Sequence, residues 1–260
     1  RRPMPTLDVD SALASSAWLP LESNPEIFNA FGKRIGLPDD WGFVDVLGLD
    51  DELLDMVPEP CAALILLFPC EPEIMARRRA AASAHDPVTT DDIYFLAQHA
   101  AAGNACGTFA AIHAISNSQH AFELRRGTPL DQLLSMGHGM SADERGRVLL
   151  TMSDLRERSD AAAEDAAAQT ACPRRDGPDL EHHFVAFVCS SKGRLVELDG
   201  TKAHPIDHGE VSLRTFKRRA AAVVRELFLP RDGGGTGASI EFALCALCRL
   251  ARRAEGEQGA

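Results

Sequence analysis

The sequence lacks an apolar run long enough to cross a membrane. Its longest candidate, CAALILLF at Cys61–Phe68, has the length of a buried strand. The first residues, RRPMPTLDVD, also lack the apolar core of a secretion signal. We therefore expect a protein without a membrane partner, located in the cytoplasm and, as a second compartment, in the nucleus.

The chain has fewer basic than acidic side chains. The chain has 27 Lys and Arg against 38 Asp and Glu, which gives a net charge of −11. Binding to nucleic acid requires a basic face, so this balance argues against nucleic acid as a partner. An acidic surface suits a basic protein or peptide partner, and it is equally compatible with a role in solubility alone.

The seven cysteines show no paired spacing of the kind that a disulfide framework has, and their number is odd. Such usage indicates a reducing compartment. Cys245 and Cys248 have C-x-x-C spacing, but a zinc site of this type needs a second pair. On a strand, positions three apart also face opposite sides. We predict no cofactor and no metal.

The length of 260 residues and an apolar fraction of 45% suit one large folded domain. We expect a flexible extension at residues 1–17, a domain at 18–250 and a polar tail at 251–260. The stretch Ser153–Asp179 has few large apolar side chains, which predicts a long loop or a poorly anchored helix. The run Arg77–Arg79 is interpreted as solvated, with a docking site for an acidic partner as the alternative.

Local signals predict a sheet with helices on its faces. Asn24 followed by Pro25 is typical of a helix start, and Gly36 could end that helix. The continuous apolar run CAALILLFP predicts a central strand. The stretch GTFAAIHAISN is apolar on nearly every side, which predicts a buried helix. Three further strands are predicted from the sequences HFVAFVC, RLVELDG and SIEFALCAL.

Three residues could form a thiol protease site. Cys106 lies at the start of the predicted buried helix, where the positive end of the helix dipole favours a thiolate. His183 begins one predicted strand, and Asp199 follows the next. A nucleophile, a base and a group that orients the base are what such an enzyme requires. The chain has nine histidines and many aspartates, so spacing alone leaves other combinations open.

Five segments occur in an order that is typical of one known family and cover most of residues 18–247. The combination of NACGT with ELDG is the most specific of these signals. On these motifs the chain resembles the ubiquitin C-terminal hydrolase family of cysteine proteases (peptidase family C12), especially its short, single-domain, L3-like members. The segments are WLPLESNPEIFN, WGFVDVLGLDDELLDMVPEPCAALILLFP, NACGTFAAIHAISN, HFVAFV and LVELDGTKAHPIDHG.

The resemblance implies an α/β fold of the papain-like α+β type. In it, helices flank a central antiparallel β-sheet, and the nucleophile begins a buried helix. It also implies a long crossover loop, at about residues 153–179, over the active site. The implied activity is hydrolysis of the bond after the C-terminal glycine of ubiquitin, or of a ubiquitin-like protein such as NEDD8, with release of small or unfolded adducts. The implied enzyme is a monomer.

The resemblance also implies roles for individual residues. Cys106 corresponds to the nucleophile, His183 to the general acid and base, and Asp199 to the group that orients the histidine. Gln98 corresponds to the oxyanion donor, acting with the backbone N–H of Cys106. The segment that corresponds to the contact with the ubiquitin tail consists of Pro20, Leu21, Glu22, Ser23, Asn24 and Pro25.

The chain departs from the family pattern at two places. Five residues, HAAAG, separate Gln98 from the NAC motif, where the family has three. Either a bulge absorbs two residues and leaves Gln98 in place, or Gln98 is displaced and the protein is a catalytically impaired ubiquitin-binding protein. The second departure is LEHHF, where we choose His183 over His182 because it adjoins the strand phenylalanine. An unrelated cysteine hydrolase is the third alternative.

Overall fold

The structure is a computed structural model that describes residues 17–83, 92–167, 182–229 and 242–251. Most of the expected extension and tail lies outside these ranges. The helices are α1 (Pro25–Ile35), α2 (Asp51–Asp55), α3 (Pro72–Ser83), α4 (Cys106–Ser116), α5 (Pro129–Met136), α6 (Ala142–Thr151), α7 (Ser153–Ala167) and α8 (Leu213–Leu227). The strands are β1 (Trp41–Asp45), β2 (Cys61–Pro69), β3 (His182–Cys189), β4 (Arg194–Leu198), β5 (Ile206–Glu210) and β6 (Ala243–Arg249).

The strands form one antiparallel sheet in the order β1-β6-β2-β3-β4-β5. The apolar run that predicts a central strand is β2, which pairs with β6 on one side and with β3 on the other. Its burial on both faces explains why its sequence is continuously apolar rather than alternating. The predicted mixed fold with a central antiparallel sheet is confirmed.

Helix α1 begins and ends at the predicted residues. The side chain of Asn24 accepts a hydrogen bond from the backbone N–H of Glu26 at 2.8 Å, and Pro25 occupies the first turn. Gly36 ends the helix with a φ of 129°, a conformation that side chains with a Cβ rarely adopt. The helix packs against α7 and β1.

Helix α4 is buried along its whole length, from Cys106 to Ser116. It lies against β2 and β3 on one face of the sheet. Because it is covered on every side, its sequence needs no polar face, which agrees with the predicted buried helix. The catalytic candidates His183, on β3, and Asp199, directly after β4, lie near the start of this buried helix.

The opposite face of the sheet is covered by α8, which packs against β2. Ser212 and Thr215 form a capping box at its start. Phe216 and Val224 lie on its buried face, and α3 packs beside it. None of the helices in the described ranges is long and apolar enough to span a membrane.

Of the two alternatives for Ser153–Asp179, a long loop or a poorly anchored helix, the structure shows a helix for the first part, Ser153–Ala167, which is α7. The expectation that it is poorly anchored is wrong for these residues. Leu155, Ala162 and Ala163 are buried in the core that α7 shares with α1. Small alanine side chains let two helices pack closely, so the segment needs few large apolar residues to be anchored. Residues 168–179 of the predicted crossover loop lie outside the described residues.

Strand β5 and helix α5 are among the elements that the sequence analysis does not predict. Strand β5 is short and carries Asp207, His208 and Gly209, so its sequence shows no alternation of apolar and polar residues. Helix α5 begins at Pro129 after a turn at Gly127. The sequence pattern of neither element predicts a strand or a helix, because each contains or follows residues that are typical of turns.

Candidate active site

The thiol of Cys106 belongs to the first residue of α4 and is 7% exposed. The next residue, Gly107, lies against two other segments. A Cβ built at Gly107 would be 3.2 Å from Cβ of Leu21 and 3.3 Å from the ring of Phe184. A glycine at this position therefore lets the N-terminal segment and β3 approach the candidate nucleophile.

His183 and Asp199 come together across neighbouring strands. His183 lies near the start of β3, Asp199 directly follows β4, and His183 Nε2 is 2.8 Å from Asp199 Oδ1. This contact engages Nε2 and leaves Nδ1 of the same ring for the thiol. Of the two adjacent histidines, His183 is the one that the structure joins to Asp199.

The carboxylate of Asp199 is buried and receives several hydrogen bonds. Oδ1 accepts from the backbone N–H of Thr201 at 3.0 Å and from its hydroxyl at 2.7 Å. Oδ2 accepts from Nη2 of Arg78 at 2.9 Å. Burial raises the pKa of Asp199, but His183, Arg78 and Thr201 together hold that pKa well below its ordinary value.

The pKa of His183 is shifted in the opposite direction, above its ordinary value. Burial lowers the pKa of His183, while hydrogen bonds to Asp199 and Cys106 and the negative charges of both raise it to about 9. His183 therefore favours the imidazolium form at neutral pH. An imidazolium beside a cysteine at a helix N-terminus is an arrangement that supports nucleophilic attack by sulfur.

Gln98 lies beside the catalytic turn. Its backbone N–H donates to the carbonyl of Gly200 at 2.7 Å, immediately after Asp199. The five residues before Asn104 contain a 3₁₀ turn at Ala100–Ala102. The side-chain Nε2 of Gln98 donates to the carbonyl of Gly103 at 3.1 Å, which occupies one of its two N–H groups.

The segment Pro20–Pro25, which is predicted to contact the ubiquitin tail, is buried at its start and half-buried in the remainder. Pro20 and Leu21 are buried, and Leu21 packs against Gly107. The residues from Glu22 to Pro25 are half-buried, and the Asn24 side chain caps α1. Pro20 and Leu21 are therefore packed into the protein beside the site, and Glu22–Pro25 form the more accessible part of the segment.

Arg78 is the functional candidate that the sequence analysis missed. The interpretation of Arg77–Arg79 as solvated is wrong for Arg78, whose side chain is 1% exposed and contacts Asp199 and Glu197. Nothing in the local sequence distinguishes it from Arg79, which is exposed. Its partners follow it by more than a hundred residues, so only the fold brings them together.

Other candidates have structural roles. His113 is fully buried, accepts from the backbone N–H of Leu96 at 3.2 Å, and stacks on Phe95. Burial lowers the pKa of His113 to about 4. Cys245 and Cys248 face opposite sides of the sheet, in separate core clusters. Among the described residues, no group of three or more metal-ligating side chains could hold a metal ion.

Comparison with known proteins identifies the family that this chain is similar to. The family profile "Ubiquitin carboxyl-terminal hydrolase, family 1" matches residues 18–228. The ubiquitin carboxyl-terminal hydrolase of Aplysia californica is 38% identical over 217 residues, which cover 83% of this chain and 96% of that protein. Human isozyme L1 is 37% identical over 235 residues, with 89% and 98% covered.

Two further comparisons extend this result. A probable ubiquitin carboxyl-terminal hydrolase of Dictyostelium discoideum is 36% identical over 226 residues, covering 85% of this chain and 86% of that protein. The fold is similar to that of the Trichinella spiralis UCH37 catalytic domain, solved with ubiquitin vinyl methyl ester. That similarity has a TM-score of 0.68 at 21% identity and covers 92% of this chain and 99% of the other.

Each of these three curated relatives is more than a third identical to this chain over most of its length. Because the profile spans most of the chain and the aligned relatives cover at least 83% of it, this chain belongs to family 1 of the ubiquitin carboxyl-terminal hydrolases, which are cysteine-type deubiquitinases.

Proposed function

We propose that the protein hydrolyses the bond after the C-terminal glycine of ubiquitin. The observation that carries this proposal is the 2.8 Å contact between His183 and Asp199, with Cys106 at the start of α4 close enough to His183 to help raise the pKa of its imidazole. A thiol, a base and an orienting carboxylate are thus in one place. The family supplies the substrate class, since its relatives are named for ubiquitin.

The reaction divides into two steps. The thiolate of Cys106 attacks the glycine carbonyl, and the tetrahedral intermediate collapses when the leaving amine takes the proton of His183. This step leaves a thioester between Cys106 and ubiquitin. His183, now neutral, takes a proton from water, whose oxygen attacks the thioester. Collapse expels the Cys106 thiolate, which pairs again with the imidazolium of His183. The ubiquitin carboxylic acid gives its remaining proton to solvent and leaves as a carboxylate.

The oxyanion of both intermediates needs hydrogen-bond donors. The backbone N–H of Cys106 is one of the first in α4, and such groups have no partner within their helix. We assign the second donor to the side-chain amide of Gln98, which retains one N–H beyond the bond to Gly103. The placement of Gln98 next to Gly200 supports this assignment.

The finer properties are part of the proposal. We infer that the monomeric enzyme acts in the cytoplasm or nucleus and releases small or unfolded adducts from ubiquitin, and that a ubiquitin-like protein such as NEDD8 is a second substrate. The half-buried residues Glu22–Pro25 supply the contact with the ubiquitin tail. The net charge of −11 is consistent with a basic tail as ligand.

The alternative is a ubiquitin-binding protein with impaired catalysis. It is favoured by one contact, the bond from Gln98 Nε2 to the Gly103 carbonyl within the lengthened segment. If this bond holds the amide away from the substrate, the oxyanion loses one donor, and the rate falls roughly 100- to 1000-fold. Binding of ubiquitin would persist, because the tail contact does not involve Gln98.

Ubiquitin that carries a vinyl methyl ester at its C-terminus tests the substrate and the nucleophile together. We expect it to add covalently to the wild-type protein at Cys106, detected as a mass increase of one ubiquitin. Cys106→Ala should give no adduct. Cys70→Ser is the matched control, since Cys70 is, among the residues that the structure describes, an exposed thiol near this site.

Labelling that persists in Cys106→Ala would contradict the assignment of the nucleophile. Absence of labelling in the wild-type protein, together with rapid alkylation of Cys106 by iodoacetamide, would point to the third alternative, a cysteine hydrolase that does not recognise ubiquitin. Loss of labelling in Cys70→Ser would show that the thiol at the end of β2 takes part in the reaction.

A further inference from the structure

A buried cation lies behind the candidate triad. Arg78 projects from α3, and its Nη2 is 2.6 Å from Glu197 Oε1 and 2.9 Å from Asp199 Oδ2. All three side chains are 1% exposed. One nitrogen of the guanidinium therefore bridges two carboxylates, one on β4 and one directly after it. Removal of such a cation would leave two buried carboxylates side by side.

The remaining surroundings of Arg78 fix the orientation of its guanidinium. Its central carbon lies 4.7 Å from the ring centroid of Phe68 and 5.0 Å from that of Phe228. Within the described ranges, Nε and Nη1 of Arg78 have no hydrogen-bond partner, so the polar contacts of this side chain leave from Nη2. The rings of Phe68 and Phe228 fix the plane of the guanidinium. The carboxylates of Glu197 and Asp199 fix the direction in which its Nη2 atom points.

A second histidine completes the network. Nε2 of His208, on β5, lies 2.9 Å from Oε2 of Glu197, while Oε1 of Glu197 contacts Arg78. The two oxygens of Glu197 are thus held from two sides. The contacts run from His208 through Glu197 and Arg78 to Asp199, and from there to His183. Helix α3 and strand β5 therefore both contribute to the position of the catalytic carboxylate.

We propose that Arg78 is a positioning residue that fixes the Asp199 carboxylate for catalysis, with Glu197 and His208 holding Arg78 in place. The two oxygens of Asp199 have different tasks: Oδ1 faces His183 and Thr201, and Oδ2 is bound by Arg78. Without Arg78, the carboxylate can rotate away from the imidazole, because only one of its oxygens remains anchored. This inference rests on the proposed function of the triad.

The test is a double-mutant cycle with Arg78→Met and Asp199→Ala. Two rates are measured: cleavage of a fluorescent amide of ubiquitin, and alkylation of the Cys106 thiol by iodoacetamide at neutral pH. We expect Arg78→Met to lower both rates by about 10- to 100-fold, the range found for residues that orient catalytic groups. KM for the ubiquitin amide should stay within about twofold, since Arg78 makes no substrate contact.

In the Asp199→Ala background, Arg78→Met should change either rate by less than about threefold, because nothing is left for Arg78 to position. Arg77→Met is the matched control: Arg77 is adjacent on α3 and donates to the backbone carbonyls of Leu227 and Leu229. It should alter stability without altering the rates. If Arg78→Met does not fold, Arg78→Lys, which keeps the cation but cannot bridge both carboxylates in the same way, enters the cycle in its place.

Equal losses from Arg78→Met with and without Asp199 would overturn the proposal, since they would indicate a general structural effect. A wild-type alkylation rate in Arg78→Met would overturn it as well. The alkylation assay contains no ubiquitin, so it tests Arg78 even if the proposed substrate is wrong. Loss of amide cleavage in all proteins, with the expected pattern in alkylation, would contradict the proposed function alone.

Discussion

At the scale of single residues, the chemistry depends on the proton held by His183. Burial opposes the charged form of this imidazole, and the interactions with Asp199 and Cys106 outweigh that effect, so its pKa lies at about 9. The imidazolium can therefore protonate a leaving amine over the whole neutral range. Its proton is retained because Asp199 stays ionised in spite of being buried.

Asp199→Asn should lower the pKa of His183 from about 9 towards its ordinary value of 6.5, because it removes the negative charge beside the imidazole. The basic limb of the pH profile of kcat/KM should move to lower pH, and the rate should fall about 10²- to 10⁴-fold. Asp207→Asn, on β5, is the control, and its profile should match wild type. An unshifted basic limb in Asp199→Asn would contradict the assignment.

Gln98→Ala should reduce kcat for a ubiquitin amide at least about tenfold, because one donor to the oxyanion is lost. KM should change little, since the interaction strengthens only in the transition state. Gln119→Ala is the control, as Gln119 bonds a backbone carbonyl at the end of α4. A kcat near wild type in Gln98→Ala would show that another group stabilises the oxyanion.

The residues of the site differ in how far sequence could predict them. Cys106, His183 and Asp199 stand in distinctive motifs, so their selection needed no knowledge of the fold. Arg78 stands in a run of arginines and alanines, and the bland interpretation of that run was wrong. A buried arginine is recognisable only from its partners, and Glu197 on β4 and Asp199 directly after it are distant from Arg78 in sequence.

At the scale of elements, α7 differs most from the prediction. The sequence Ser153–Ala167 is rich in alanine, which has the highest helix propensity, and poor in the large apolar residues by which anchored helices are usually recognised. The structure shows that Leu155 and two alanines suffice, because α1 lies close against them. The alanine content of this segment was thus enough to predict a helix, but its packing against α1 could not be predicted from sequence.

Helix α7 also supports the N-terminal segment of the site. The backbone N–H of Leu19 donates to Asp160 Oδ1 at 2.9 Å, and both residues are buried. Asp160→Ala should lower the free energy of unfolding by about 1–3 kcal/mol, because that buried N–H loses its acceptor. Urea denaturation measures the change.

Asp165→Ala is the matched control on the same helix. Asp165 is mostly exposed and pairs with Arg34, so its loss should cost less than about 1 kcal/mol. Asp160→Ala should also raise KM for ubiquitin, since Leu19 leads directly into the segment Pro20–Pro25. Equal stability losses for the two variants would contradict the role given to Asp160.

At the scale of the whole molecule, the site exists only where separate parts of the chain meet. Cys106 begins α4, His183 begins β3, Asp199 follows β4, and Gln98 follows a long connection. The central strand β2 and the buried α4 were predictable because both are apolar without interruption. The family resemblance implied that the sheet is antiparallel but gave no order of its strands, and β5 was missed because its pattern is that of a turn.

Two histidines with opposite pKa shifts should set the pH of maximal stability near 6.5. The pKa of His183 is raised to about 9, so its contribution is complete below pH 6.5 and is lost as pH rises to 9. The pKa of His113 is lowered to about 4, so the unfolded chain takes up a proton before the folded one, and stability falls between pH 6.5 and 4. Thermal unfolding at a series of pH values measures this dependence.

His183→Gln is the informative variant for this prediction. It should flatten the decline in stability between pH 6.5 and 9 and leave the decline below pH 6.5 unchanged, because His113 is untouched. A wild-type slope between pH 6.5 and 9 in His183→Gln would show that other groups cause the alkaline loss. Salt should have little effect on the slope, since the charges that hold His183 are buried.

The most direct test of the central claim is the release of a fluorescent amine from the C-terminus of ubiquitin, by the wild-type protein and by Cys106→Ala. We predict rapid release by the wild-type protein and none by Cys106→Ala, with unchanged affinity of both proteins for ubiquitin. That result would establish a working nucleophile and show that the lengthened segment before Asn104 is tolerated. Tight binding of ubiquitin without release by the wild-type protein would contradict the account and identify a binding protein that has lost its oxyanion site.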